Sequence, residues 1–211
     1  MSVETNKILG GVGALLMFIG IIPFISYYGI LELIGLILVF VALYNFGSHY
    51  KEGGIFNNAL YGLILGIVGV VVAVGAAVIA IMTQLTKLMD TIFPSWNGNW
   101  ASLSGMTPDL TNLDFGTLMP IIVGVIAVFL ILWIFAIISA YFVRRSMVKL
   151  SAKSGIGLFG TAGLLLLIGA VLLVIVIGAI LIWIAALLIA IAFFRIRAER
   201  TQPPTPVAAP T

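Results

Sequence analysis

The chain has 211 residues, of which 63% are apolar and 8% charged, with no cysteine and a formal net charge of +3. Soluble domains are roughly 45–50% apolar and about 25% charged, so a water-soluble globule, a disordered chain, a disulfide scaffold and a cysteine-ligated metal protein are excluded. What fits is an all-α integral membrane protein, expected as a single domain over residues 1–200 with six transmembrane helices arranged as three hairpins.

A bilayer core of roughly 30 Å takes about 20 apolar residues of helix. The first apolar block, Ile8 to Phe46, is nearly twice that length and must fold back. Pro23 to Gly29 is the expected turn, because Pro23 lacks an amide hydrogen, Ser26 is polar and Tyr27 and Tyr28 suit the water interface. This predicts spans over about 8–25 and 29–46. The third span is expected over about 59–83, after Lys51-Glu52-Gly53-Gly54, with Asn57 or Asn58 as its cap.

The long connection, about 84–116, opens with Leu85, Leu88, Met89, Ile92 and Phe93 at helical spacing, opposite Thr86, Lys87, Asp90 and Thr91. The pattern predicts an amphipathic interfacial helix ended by Pro94, followed by Trp96 and Trp100 as headgroup-level anchors. It could serve as a lid or docking surface, or simply seal the outer ends of the two spans it joins. The fourth span, about 117–143, begins with Pro120 in its first turn, where a missing amide hydrogen costs nothing.

Arg145, Lys149 and Lys153 follow at four-residue spacing, which a helical extension would align on one face. Such a stripe sets topology or contacts anionic lipid headgroups. The last apolar block, Ile156 to Phe194, again needs two crossings, expected over 156–176 and 178–195 with a turn near Ile177-Gly178. The tail, 201–211, is rich in proline and expected to be disordered and cytoplasmic.

Six spans place both termini on one side. That side collects Lys7, Lys51, Arg144, Arg145, Lys149, Lys153, Arg195, Arg197 and Arg200, against Lys87 alone on the other. The positive-inside rule then predicts a multi-pass cell-membrane protein with cytoplasmic termini. The first span is not expected to be a cleaved signal, since one lysine precedes it and a second span follows at once. A shift of 149 residues aligns Leu9, Gly11, Leu15, Leu16, Ile19, Gly20, Gly29 and Leu38 with identical residues, which suggests a parallel duplication of the first hairpin in the last.

Few residues could carry chemistry. Glu32 is the one acidic residue inside a span. It is a candidate intramembrane proton or cation site, or else an interfacial carboxyl in a helix-packing hydrogen bond. Gly62, Gly66 and Gly69 form a small-residue face for close helix packing, within the chain or between copies. Gly155-Ile156-Gly157-Leu158-Phe159-Gly160 spells a dinucleotide fingerprint, but no strand precedes it and no acidic residue follows at the required distance. His49 stands alone. No catalytic residue, metal site or cofactor is expected, nor any nucleic-acid partner.

Three segments carry a resemblance: Thr5-Asn6-Lys7-Ile8-Leu9-Gly10-Gly11-Val12-Gly13, the loop Tyr50-Lys51-Glu52-Gly53-Gly54-Ile55-Phe56-Asn57-Asn58-Ala59, and the closing Ala190-Ile191-Ala192-Phe193-Phe194. Together they resemble the uncharacterised archaeal and bacterial membrane proteins called domain of unknown function 996. That resemblance implies a multi-span membrane protein and carries over no activity and no site. The leading expectation is a non-enzymatic scaffold or accessory subunit in contact with membrane lipids and with another membrane protein or further copies of itself. The alternative is a small transporter or channel for a protonatable or weakly polar solute, with Glu32 near its path.

Overall fold

A computed structural model describes residues 2–20, 29–111 and 113–197. Among these residues every regular element is helical: α1 (Val3–Gly20), α2 (Ile30–His49), α3 (Gly54–Ile92), a 3-10 turn (Trp100–Gly105), α4 (Phe115–Ser154), α5 (Gly157–Val171), a second 3-10 turn (Leu172–Val174) and α6 (Val176–Arg195). Six of the helical segments are long and apolar enough to cross a membrane. The chain divides into two compact units, one of residues 1–61 with 141–211 and one of residues 62–140. The expected turn at Pro23–Tyr28 and the tail at 201–211 lie outside the described residues.

Local chemistry explains where the helices begin and end. α1 starts at Val3, five residues before the expected Ile8, because the Ser2 hydroxyl accepts the Thr5 amide, as an N-cap does. α2 closes with two reversed hydrogen bonds, from the Glu52 amide to the Gly47 carbonyl and from the Lys51 amide to the Ser48 carbonyl. This is the Schellman pattern, and it requires a left-handed residue between them. Lys51 fills that position, with φ 48°.

α3 begins at Gly54, so Asn57 and Asn58 lie inside it and neither is the predicted cap. The Asn58 side-chain amide instead donates back to the Gly54 carbonyl at 2.6 Å. At the other end α3 runs without a break to Ile92. The predicted amphipathic segment is therefore helical, but it is the continuation of α3 and not a separate element. The Phe93 amide still reaches the Met89 carbonyl, and Pro94 follows where the helix can go no further.

α4 starts at Phe115, where Asp114 accepts the Thr117 amide at 2.8 Å. Pro120 consequently falls in the second turn rather than the first, and the helix forgoes one backbone bond there. α4 continues through the basic stripe to Ser154, ended by Gly155 at φ 71°. The last turn also differs from expectation. The chain leaves α5 at Val171 and turns over Leu172–Ile175, several residues before Gly178. Gly178 lies inside α6, where its bare Cα lets the Leu172 and Leu173 backbone lie against the helix. The glycine marks a close approach to the turn, not the turn itself.

In the first unit α1 packs on α2 and α6, and α5 packs on α6. Gly13 and Gly35 form the α1–α2 crossing, since a β-carbon on Gly35 would lie 2.5 Å from the Gly13 carbonyl oxygen. Gly10 and Gly11 meet the rings of Phe193 and Phe194 on α6. Phe18 stacks on Trp183 at 4.6 Å, and the Trp183 indole donates to the Phe18 carbonyl at 2.9 Å. Asn6 is buried and accepts a 2.9 Å hydrogen bond from the Asn45 amide. The apolar core gathers Leu43, Phe46, Ile55, Met147, Leu150, Phe159 and Phe193. In the second unit α3 and α4 run past each other in opposite directions: the Ser139 hydroxyl donates to the Gly62 carbonyl at 2.8 Å, and Ala80 faces Gly124.

Candidate functional site

Glu32 occupies the first turn of α2 and is half-buried. Gly20, at the end of α1, makes room for it, since a β-carbon there would sit 2.7 Å from the Glu32 carboxyl carbon. The carboxyl is thus wedged against the last residue of α1. Such a placement suits a helix-packing acceptor as well as a protonatable group near a path.

The basic stripe rides on α4 in the first unit. Ser146, Met147 and Leu150 form its buried face, and the Ser146 hydroxyl donates to the Ile55 carbonyl. Arg145 and Lys153 are exposed, and the Arg145 guanidinium lies 5.8 Å from the centre of the Tyr141 ring. Lys149 is committed elsewhere. Its ammonium donates to Glu52 Oε1 at 2.7 Å, crossing the space a β-carbon on Gly54 would fill. The hydrogen bond and charge of Lys149 hold the Glu52 carboxyl below its ordinary range, and Lys153 adds to this. Of the three stripe residues, two therefore remain open to an external anion while the third ties the α2–α3 loop to α4.

Of the glycine face in the second unit, Gly69 lies against the root of the Phe135 side chain, Gly66 lies near the Ser139 hydroxyl, and Gly62 lends its carbonyl to that same hydroxyl. These contacts lie within the chain. Trp96 and Trp100 meet edge to face at 5.0 Å, and the Trp96 indole donates to the Asn99 carbonyl at 2.9 Å. Asp109 is stabilised as the anion by the Thr111 hydroxyl and amide, and Asp114 by those of Thr117. Both carboxylates act as local caps. The glycines of the apparent dinucleotide fingerprint serve the α4–α5 junction: Gly155 ends one helix and Gly157 opens the next. Among the described residues no three His, Asp or Glu side chains gather as a metal site would require.

The sequence matches proteins of unknown function, DUF996, over residues 31–187. The chain belongs to this family. An uncharacterised protein of the archaeon Methanocaldococcus jannaschii is 29% identical over 200 residues, covering 93% of this chain and 94% of that protein. No solved structure matches this chain. Of the three segments that carried the resemblance, the loop at 50–59 lies inside the matched region and is the Schellman turn that closes α2. The first and last lie outside it, yet they meet in this DUF996 chain, where Gly10 and Gly11 pack under Phe193 and Phe194.

Several residues escaped the sequence reading. Gly35 was not singled out as the partner of Gly13, and Asn6–Asn45 and Lys149–Glu52 join residues 39 and 97 positions apart. One signal was available for Glu52: it is an acidic residue next to Lys51, in a loop expected on the same side as Lys149 and Lys153.

Proposed function

We propose that this DUF996 protein is a non-enzymatic scaffold or accessory subunit of the cell membrane, with both termini cytoplasmic, its spans paired as three hairpins and residues 84–93 at the outer interface. The exposure of α3 and α4 carries this reading. In the most apolar window of α4 no residue is buried, and in that of α3 only 11% are. Val71, Ile79 and Val125 are among the most exposed apolar side chains of the second unit.

Lipid covers part of such a surface. Within the second unit the uncharged parts of α3 and α4, Gly62–Thr86 and Phe115–Ala140, are roughly 37 Å and 39 Å long at about 1.5 Å per residue, against a hydrocarbon core of roughly 30 Å. The excess is accommodated by tilt or by the apolar surface of a neighbouring membrane protein or second copy. Gly66 and Gly69 are already engaged within the chain, so larger apolar side chains make up most of the surface left to face that neighbour.

Mild affinity isolation from the native membrane, with mass spectrometry of the intact assembly, tests the proposal. A stoichiometric second protein or a defined homo-oligomer supports it. A lone monomer that drives a pH-dependent flux in proteoliposomes, abolished by Glu32→Gln, overturns it in favour of transport.

A further inference from the structure

At one end of the first unit, the start of α1, the α4–α5 junction and the end of α6 enclose a groove of about 1220 Å³. Lys7, Arg195, Arg197 and Glu4 line it, together with Ser154 and the ring of Phe194. The cations come from segments almost 190 residues apart, which is why no sequence window displays them as a cluster. Their convergence has a structural cause. α6 stops at Arg195, and Ile196 turns extended and buries its side chain in the core. That anchor holds Arg195 and Arg197, on either side of it, at the groove. Lys7 is held in place by Glu4 at 2.8 Å. Among the described residues no carboxylate forms an ion pair with Arg195 or Arg197, whereas Lys7 is paired with Glu4, so two of the groove's three cations have no carboxylate partner.

We propose that this groove binds the phosphate of an anionic membrane lipid. Its position favours a lipid over a soluble anion: it lies where helices long and apolar enough to span end, which in a bilayer is the headgroup level, and Phe194, a lining residue that is partly exposed, offers an apolar surface to the start of an acyl chain. Arg195 and Arg197 supply planar donors that match phosphate oxygens. Glu4 accepts from a headgroup hydroxyl, so a phosphate linked to a hydroxylated headgroup suits the groove better than one linked to choline. This site is separate from the stripe on α4, whose Lys149 is engaged by Glu52. It holds whichever partner the scaffold has.

The test is native mass spectrometry of the intact protein in detergent, titrated with phosphatidylglycerol and, separately, with phosphatidylcholine. Phosphatidylglycerol is expected to bind at least tenfold more tightly. A basic residue at a headgroup contributes about fivefold in affinity, so Arg195→Gln with Arg197→Gln should weaken phosphatidylglycerol about thirtyfold, and each single variant about fivefold. Lys87→Gln makes the same charge change elsewhere and should leave binding unaltered. The single variants keep the test in force should the double variant fail to fold. Equal binding of the two lipids, or unchanged binding in the arginine variants, overturns the proposal. Displacement of the lipid by millimolar inorganic phosphate also overturns it, by showing the groove to be a site for a soluble anion.

Discussion

Gly35→Ala at the α1–α2 crossing is the perturbation whose outcome the geometry defines most sharply. A β-carbon on Gly35 would stand 2.5 Å from the Gly13 carbonyl oxygen and 2.9 Å from the Met17 amide nitrogen. Carbon contacts are optimal near 3.5–4.0 Å, so the two backbones must separate by roughly 1 Å. Neither obstacle is a side chain that can swing aside. Overpacking of this kind costs about 1–3 kcal/mol, while alanine returns at most about 0.5–1 kcal/mol of helix propensity. The expected net loss is about 1–2 kcal/mol. Gly75→Ala in α3 is the matched control, because a β-carbon there meets nothing within 4 Å and only the propensity gain remains. Unfolding in mixed micelles, followed by circular dichroism against detergent composition, reads both variants. Gly13→Ala should cost a similar amount, and the double variant less than the sum, since the first methyl already parts the helices. A Gly35→Ala protein as stable as Gly75→Ala would refute the reasoning.

Other consequences follow from the same contacts. The folded-state pKa of Glu52 lies below the ordinary glutamate value of 4.5, so its contribution to stability is present above that value and is lost as pH falls through the depressed pKa. Thermal unfolding of the wild type and Glu52→Gln should therefore differ near neutrality and converge in acid, and a constant difference would show that the pair does not act through charge. Trp183→Phe retains the stack on Phe18 but loses the hydrogen bond to its carbonyl, and should cost about 0.5–1.5 kcal/mol in the same unfolding assay. Lys51→Gly relieves a left-handed residue with a β-carbon, and should stabilise the protein by about 1 kcal/mol.

The sequence announces six apolar helices because each crossing must satisfy its backbone internally and present apolar side chains to lipid, and both demands are written in composition. Their ends were less legible. α3 and α4 run well past the expected 83 and 143, since hydropathy registers where a helix leaves the apolar layer, whereas the hydrogen-bond ladder ends where Pro94 or Gly155 ends it. The turn near Gly178 was misplaced for a related reason. A glycine records crowding, and both a turn and a close backbone approach create it. The basic stripe was visible as a four-residue period, but the commitment of Lys149 to Glu52 was not, because their pairing depends on how the α2–α3 loop meets α4. Glu32 was visible as a lone acid in an apolar run, and its abutment on Gly20 only in three dimensions.

Topology is the claim on which the rest depends, and a chain with no cysteine suits its direct measurement. Single cysteines placed at Ser2, at Ser104 and at Ala152, all exposed, can be treated with a membrane-impermeant maleimide in intact cells and again after permeabilisation. Ser104→Cys should be labelled in intact cells, and Ser2→Cys and Ala152→Cys only once the membrane is opened. Labelling of Ala152→Cys from outside, or of Ser2→Cys together with Ser104→Cys, would contradict this topology.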